Sequence, residues 1–277
     1  MSVKIAVADI QKLREITGAG MMDCKKALEE SEGNFENAQD WLRKKGIAKA
    51  AKREDREASE GVVVAKVSAD QTKGVVLALN CETDFVARNE NFVAMTNKMA
   101  DVALAHFPQN LEALLALPYE GNVTIGEKVG EQNGIIGEKI ELSRYEPLTG
   151  AQVLIYNHSN NKRSVLVALS KNGSQFDQAG RDVAMQIAAM SPVSVSKDDV
   201  DPKIVEKEIE IGKELARNEG KAEEMLEKIA LGRLNKFFQD STLLSQKFVK
   251  NNDQTVDQYL KSLDKELTVT GFRHIWL

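Results

Sequence analysis

The sequence has 277 residues, of which 42% are apolar and 29% charged, and its formal net charge is −5. This is the composition of a soluble globular protein of about two domains, and the acidic balance argues against a general nucleic-acid binder, which needs a surplus of Lys and Arg. The two cysteines, Cys24 and Cys81, are too far apart for a CxxC metal clamp, and with no signal peptide or membrane-length apolar run in the sequence they favour reduced thiols in the cytoplasm.

Three short helices are predicted in residues 1–55. The first carries Ile10, Leu13 and Ile16 at helical spacing and stops at the glycines of 18–20. The second begins near Met22, and Asn34 is a candidate N-cap for the third. A bundle of this size has a thin core, so we expect it to serve as a docking module.

Three large side chains of this bundle have two interpretations each. For Trp41 we favour a place in the core. Met21 and Met22 follow the glycine turn, and they are either core residues or exposed contact surface, because Met adapts readily to a partner. The sequence leaves that choice open.

A basic segment closes the bundle between Arg43 and Arg56. It could be a nucleic-acid stripe, but Glu54 and Asp55 interrupt it and few aromatic residues are near. We therefore predict a solvated helical linker and place the first domain boundary near residue 55.

The pattern then changes to paired strands. The β-branched runs 61–67 and 74–79 flank a polar turn and predict a hairpin, and residues 92–105 predict a helix packed on it. A shift of 90 residues superposes this unit on strands 152–157 and 164–170 and a helix at 181–190, without a gap. The match predicts a duplicated α+β subdomain.

The rest of the chain is predicted from local patterns. Between the two copies we expect helices near 111–117 and 124–132 and a strand at 135–145. Asp201 and Pro202 suit the cap and first position of a helix, which with a second helix at 222–238 predicts an antiparallel helical hairpin inserted at about 201–239. Its apolar side is expected to carry Val205, Ile209, Gly212 and Leu215. A last helix at 256–263 and a strand at 269–277 are expected to return to the second subdomain.

The helical hairpin has two interpretations, an arm for interaction or homodimerisation and a plain satellite. The search for catalytic chemistry finds no phosphate-binding loop, dinucleotide turn or HExxH zinc motif. His106, His158 and His274 lie on different predicted elements. We therefore predict no catalytic residue, no cofactor and no metal, and a protein that acts by contact.

Two segments carry a resemblance to a known family. Residues 13–28, LREITGAGMMDCKKAL, closely resemble the N-terminal signature of translation elongation factor Ts, and residues 80–89, NCETDFVARN, resemble that family's core signature. Both are long and in the family's order, and the resemblance covers almost the whole chain. It implies an α+β fold with a ubiquitin-associated-like domain at 1–55, a core N-subdomain at 56–147 and a core C-subdomain at 148–277 that contains the helical hairpin.

The resemblance also implies a function and site residues. Family members are guanine nucleotide exchange factors that release GDP from elongation factor Tu, with no nucleic acid or membrane as a direct partner. The Phe that matches Phe85 wedges between two helices of the partner's G domain, so the expected exchange element is Thr83, Asp84, Phe85 and Val86. His158 is expected to support the interface near the second half of that domain, and Met21 and Met22 to dock the N-terminal module.

Alternatives remain beside this expectation. Phe85 could instead cap the core of its own subdomain, as an isolated Phe in a loop often does. The whole protein could be a non-catalytic adaptor whose N-terminal module captures a peptide. Some family members also continue into a further C-terminal helical module, whereas this sequence stops at Leu277, so contacts of that module are not carried over.

Overall fold

The computed structural model describes the backbone of residues 5–51, 53 and 55–277, and the side chains of these residues except 47–51. Helices and strands are mixed along the chain, which confirms the α+β class. No helix in the described part of the chain is both long and apolar enough to cross a membrane.

The N-terminal bundle has the three helices that the sequence predicts. They are α1 (Val7–Thr17), α2 (Met21–Glu30) and α3 (Phe35–Ala51). Leu13, Leu28 and Ala38 form its core with the Cys24 thiol, and Trp41 packs against this cluster. The backbone N–H of Asn37 donates to Oδ1 of Asn34 at 3.0 Å, which confirms the predicted cap. Ile16, expected on the apolar stripe, is exposed.

A second unit follows from residue 60. Its elements are β1 (Glu60–Val67), β2 (Lys73–Cys81), α4 (Asp84–Ala87), α5 (Glu90–His106), α6 (Leu111–Leu115), β3 (Pro118–Glu120), β4 (Val123–Thr124), α7 (Ile125–Ile136) and β5 (Glu141–Thr149). Strands β1, β2 and β5 form an antiparallel sheet in the order β1-β2-β5. Residues of β1, β2 and β5 pack with Phe92, Met99 and Ile125 into one apolar cluster, so helices cover one face of this sheet.

The predicted strand at 135–145 is wrong at its beginning. Ile135 and Ile136 form the last turn of α7, which starts with a capping box of Thr124 and Glu127 and ends at Gly137 with a φ of 88°. Two adjacent Ile residues favour a strand locally, but the capped helix continues through them. The strand β5 starts only at Glu141.

The last unit repeats this arrangement. Its elements are β6 (Gln152–Asn157), β7 (Arg163–Leu169), α8 (Asp177–Met190), α9 (Pro202–Asn218), α10 (Glu223–Ser241), β8 (Lys247–Phe248), β9 (Asn251–Thr255), α11 (Val256–Leu263) and β10 (Val269–Trp276). Strands β10, β7 and β6 form an antiparallel sheet in that order. Helices α8 and α11 contribute to the apolar cluster on one of its faces.

The two sheets have the same topology. In each, a hairpin is followed by a helix, and a later strand pairs antiparallel with the second strand of the hairpin. A third cluster joins side chains of both sheets, including Val63 and Val76 from the first and Val153 and Leu166 from the second. The sheets therefore pack face to face, with helices on the outer sides, and the continuous apolar strands are buried on both faces.

The helical hairpin consists of α9 and α10. Asp201 caps α9 by accepting from the N–H of Lys203 at 2.9 Å, and Pro202 is its first residue, as predicted. A Cβ on Gly212 would lie only 3.0 Å from the Cα of Ala230, so the two backbones approach closely at this glycine. Leu215 was expected on the buried side, but it is exposed and Ala216 is buried instead.

The expectation of a solvated helical linker at 43–56 is confirmed only in part: the segment is helical as far as Ala51 and the Lys44 and Arg56 side chains are exposed, but it also contacts the core. Helix α3 continues to Ala51 and packs against α7, where a Cβ on Gly134 would lie 2.8 Å from the Cα of Gly46. The Arg53 guanidinium donates to the Asn133 carbonyl, and Arg56 donates to Glu82 at 3.2 Å. Lys52 and Glu54 lie outside the described residues.

The two domain boundaries, after residues 55 and 147, and the bounds of the inserted helical hairpin stay predictions. The strand β5 continues to Thr149, past the proposed boundary after residue 147. The second helix of the hairpin ends at Ser241, close to the predicted end of the insertion at about residue 239.

Candidate functional site

Phe85 lies on the short helix α4, between the end of β2 and the start of α5. Its side chain is 83% exposed, which is unusual for a large aromatic side chain. The interpretation that Phe85 caps the core of its own subdomain is therefore wrong. An exposed Phe on a helix of this kind can be offered to a partner.

Both ends of α4 are held. Ala87 is buried and Val86 packs against the core of the first unit, so the inner side of the helix is fixed. Beyond α4, Asn89 caps α5 by accepting from the N–H of Asn91 at 2.9 Å. The exposed Phe85 thus stands on a segment whose neighbours on both sides are packed or capped.

Asp84 forms an ion pair with Arg88 at 3.1 Å, one helical turn along the chain. Both side chains are well exposed, so the pair contributes little to stability. The Asp84 side chain is 42% exposed.

Thr83 is anchored by a residue that the sequence analysis did not identify. The Thr83 hydroxyl donates to Oε1 of Glu138 at 2.6 Å, across 55 residues of chain. No periodicity or local motif marks Glu138, because its role depends on a contact between two loops that the tertiary structure brings together.

The thiol next to this segment is not a nucleophile. Burial, followed by the nearby Glu138 carboxylate, raises the pKa of Cys81 to about 12. The protonated thiol donates to the Thr83 carbonyl at 3.2 Å. It therefore has a structural role beneath α4.

A groove of about 610 Å³ opens beside Phe85, between α5 and α7. Its apolar lining includes the side chains Val86, Phe92, Met95, Tyr119, Ile135 and Ile136. Lys98 and Lys128 lie over the Tyr119 ring at 4.4 and 5.9 Å from its centroid. An apolar groove flanked by two cations suits a protein segment with apolar and acidic side chains better than a small polar ligand.

Met21 and Met22 open α2 directly after Gly20, and both are exposed, Met22 by 75%. The choice that the sequence left open is therefore settled in favour of surface positions. The turn before them contains Gly18 with a φ of 70°, next to Cγ2 of Ile135. Because Ile135 also lines the groove, the N-terminal bundle lies next to the groove beside Phe85.

His158 lies in the turn between β6 and β7 and is exposed. Its Nδ1 is 2.8 Å from the Tyr156 hydroxyl. The preceding residue, Asn157, exchanges hydrogen bonds with the backbone of Ala65 at 2.9 and 3.0 Å. The turn is thus anchored to β1, while no hydrogen bond or ring contact among the described residues joins His158 to residues 83–86.

The second copy has no exposed Phe in the connection between its hairpin and its helix. Gln175, the residue that the 90-residue shift places opposite Phe85, is exposed and polar. The adjacent Phe176 is only 5% exposed and belongs to the core of the second unit. Only the first copy therefore offers an exposed Phe at this position.

Comparisons with known proteins point to one family. A family model described as elongation factor TS matches residues 82–276. A relative named elongation factor Ts from Flavobacterium psychrophilum is 51% identical over 269 residues, which cover 97% of each chain. A relative of the same name from Cytophaga hutchinsonii is 52% identical over 274 residues, which cover 99% of each chain. Another, from Chloroherpeton thalassium, is 43% identical over 274 residues, which cover 96% of this chain and 94% of the relative.

Proposed function

Because the chain belongs to the elongation factor Ts family, it is a guanine nucleotide exchange factor for elongation factor Tu in translation elongation, and we propose that Phe85 is its exchange element. The observation that carries the proposal is the 83% exposure of Phe85 on a helix held at both ends. A side chain of this kind can enter a partner without rearrangement of its own backbone.

Exchange of this kind needs no covalent chemistry from the factor. A protein that binds nucleotide-free elongation factor Tu more tightly than the GDP-bound form must weaken the binding of GDP by the same ratio of affinities. Each tenfold difference corresponds to about 1.4 kcal/mol. We therefore propose that the chain acts by binding alone, without a cofactor.

Phe85 can supply part of this binding difference. Transfer of an exposed Phe into an apolar site contributes roughly 1.5–3 kcal/mol. If Phe85 enters only when the helices of the partner's G domain separate, this energy favours the form in which magnesium and GDP are held weakly. Asp84 then has the smaller role of bonding at the partner's surface or orienting the loop.

The other predicted residues extend the contact. Met21 and Met22 provide exposed, adaptable apolar surface on α2, and we assign them to docking of the N-terminal module. His158 is assigned to the rim of the interface, where an exposed turn residue contributes little. The cellular location proposed from this role is the cytoplasm.

The adaptor alternative is not favoured. The relatives match the chain over almost its whole length, so the likeness is not restricted to the N-terminal module. A homodimer through the helical hairpin has no support from these comparisons and is not part of the proposal.

The test is release of a fluorescent GDP analogue from elongation factor Tu, followed by stopped flow at saturating factor. Phe85→Ala is expected to lower the release rate at least tenfold, which corresponds to an increase of about 1.4 kcal/mol or more in the activation free energy of release. The melting temperature should not change, because the side chain is exposed. His158→Ala is expected to change the rate by less than about threefold.

Leu263→Ala is the matched control, since Leu263 is also an exposed large apolar side chain and lies on α11. It should release GDP as the parent does. Full exchange activity of Phe85→Ala would contradict the proposal, and a large fall in its melting temperature would return Phe85 to a structural role.

A further inference from the structure

A single carboxylate braces the two residues that precede the Phe85 helix. Oε2 of Glu138 accepts from the backbone N–H groups of Glu82 at 3.1 Å and of Thr83 at 3.0 Å. Oε1 of Glu138 accepts from the Thr83 hydroxyl at 2.6 Å. Both oxygens are thus engaged, and hydrogen bonds to an ionised acceptor are the strong ones.

The brace is reciprocal. Oε1 of Glu82 accepts from the backbone N–H of Lys139 at 2.6 Å, so each segment supplies a carboxylate to the backbone of the other. This bond and the guanidinium of Arg56 lower the pKa of Glu82 below its ordinary value. Residues 82–83 and 138–139 are therefore joined by four hydrogen bonds.

These bonds lie directly before the helix that carries Phe85. The Phe85 side chain is exposed, and Thr83 is the last residue before α4 begins. The orientation of the first turn of α4 is set by the backbone of Glu82 and Thr83 on one side and by the packing of Val86 and Ala87 on the other.

We propose that Glu138 is a positioning residue for nucleotide exchange, which holds the Phe85 helix in the orientation that enters the partner. This inference rests on the proposed function of Phe85. A wedge that is already oriented loses less conformational freedom on binding. Loss of the brace should lower the rate within the complex more than the affinity, because other surfaces of the chain still hold the partner.

Glu138→Gln is the first variant. An amide at this position is neutral and has only one acceptor oxygen. With that oxygen toward the two backbone N–H groups, the Thr83 hydroxyl must turn to accept from the NH₂; in the other orientation both N–H groups lose their acceptor. In either case the bonds to an ionised acceptor are lost. We expect the maximal GDP release rate to fall about tenfold, while the factor concentration at half-saturation changes by less than about threefold. The Thr83 amide should also exchange its hydrogen faster.

Glu141→Gln is the matched control. It makes the same change of charge three residues further on, at a side chain whose ion-pair partner is Lys139 at 3.3 Å. It should release GDP at the parent's rate. A release rate for Glu138→Gln equal to that of Glu141→Gln would overturn the inference.

A second pair of variants covers the case in which Glu138→Gln fails to fold. Thr83→Val removes the hydroxyl that donates to Glu138, whereas Thr83→Ser keeps it, so Thr83→Val should have a maximal rate about threefold below that of Thr83→Ser. Equal rates for the two variants would overturn the inference.

A double variant separates positioning from a general structural effect. If Glu138 acts through Phe85, then Phe85→Ala with Glu138→Gln should be no slower than Phe85→Ala alone. Multiplied losses would contradict the positioning role. A fully active Phe85→Ala would contradict the proposed function itself, whereas an impaired Phe85→Ala with a fully active Glu138→Gln would contradict only the inference.

Discussion

At the scale of single residues, His274 is a buried ionisable side chain whose surroundings shift its pKa strongly. It lies on β10, is 7% exposed, and its Nε2 has no hydrogen-bond partner among the described residues. Burial lowers the pKa of His274 to about 4, and the positive charges of Arg163 and Arg144 act in the same direction. The folded protein therefore keeps this imidazole neutral.

This pKa predicts a loss of stability in mild acid. Between pH 6.5, the ordinary His pKa, and about pH 4, the unfolded chain binds a proton at His274 that the folded chain does not. The free energy of unfolding should therefore fall as the pH is lowered through this range. At 1.36 kcal/mol per pKa unit, the contribution of His274 is at most about 3 kcal/mol.

Urea denaturation between pH 7 and pH 4.5 measures this contribution. The parent should lose about 2–3 kcal/mol more than His274→Gln over this range. The same pH dependence for His274→Gln and the parent would show that His274 does not titrate abnormally.

At the scale of elements, the contact between α3 and α7 depends on glycine. A Cβ on Gly46 would lie 2.9 Å from the Gly130 carbonyl oxygen, and one on Gly134 would lie 2.8 Å from the Cα of Gly46. These neighbours are backbone atoms, which cannot rotate away. The two helices can therefore approach closely only because these positions lack side chains.

Gly134→Ala should consequently destabilise the protein, although Ala is the better helix former. We expect a loss of about 1–3 kcal/mol from the forced separation of the helices. Gly232→Ala is the matched control, because Gly232 lies inside α10 with nothing within 4 Å of its missing Cβ. This change should stabilise the protein by about 0.5–1 kcal/mol.

Thermal and urea denaturation of both variants give the comparison. A Gly134→Ala variant as stable as Gly232→Ala would mean that α3 and α7 do not pack as closely as described.

At the scale of the whole molecule, the N-terminal bundle both packs on the core and carries exposed apolar surface. Its helix α3 covers α7, and its Met21 and Met22 face solvent beside the groove. The core retains three apolar clusters without this bundle. Removal of residues 1–55 should therefore leave a folded core with an uncovered α7.

We expect this deletion to have two effects. The melting temperature should fall because α7 loses its cover, and the affinity for elongation factor Tu should fall because the docking surface is gone. The double variant Met21→Ser with Met22→Ser separates the two, since it should lower the affinity about tenfold or more without changing the melting temperature.

Calorimetric titration with elongation factor Tu measures the affinities. Val7→Ser changes another exposed apolar side chain of the bundle and should bind as the parent does. Unchanged affinity in both the deletion and the double Met variant would refute the docking role of the N-terminal module.

Much of the fold can be predicted from local sequence. Helical and alternating periodicity identified both hairpins and most helices, and the caps at Asn34 and Asp201 are bonded as expected. These predictions succeed because hydrogen bonds within a helix or a cap connect residues that are neighbours in the chain. The likeness of residues 80–89 to a family signature likewise directed attention to Phe85.

Other features depend on residues that the sequence separates widely. The strand predicted at 135–145 was wrong in its first part because a capped helix extends through Ile135 and Ile136. The basic segment was expected in solvent because its sequence shows charge, whereas its contact with α7 depends on glycines more than 80 residues away. Local propensity carries no information about such partners.

Short-range patterns in the sequence predict the fold class, the helices and the hairpins, and the resemblance of residues 80–89 to a family signature identifies the segment that carries Phe85. Only the tertiary structure decided that the two sheets pack face to face, that Phe85 is exposed while Phe176 is buried, and that Glu138 braces Thr83. The physical reason is that burial and hydrogen bonding between distant segments are fixed only when the whole chain has packed, so the same residue type can become core in one copy and surface in the other.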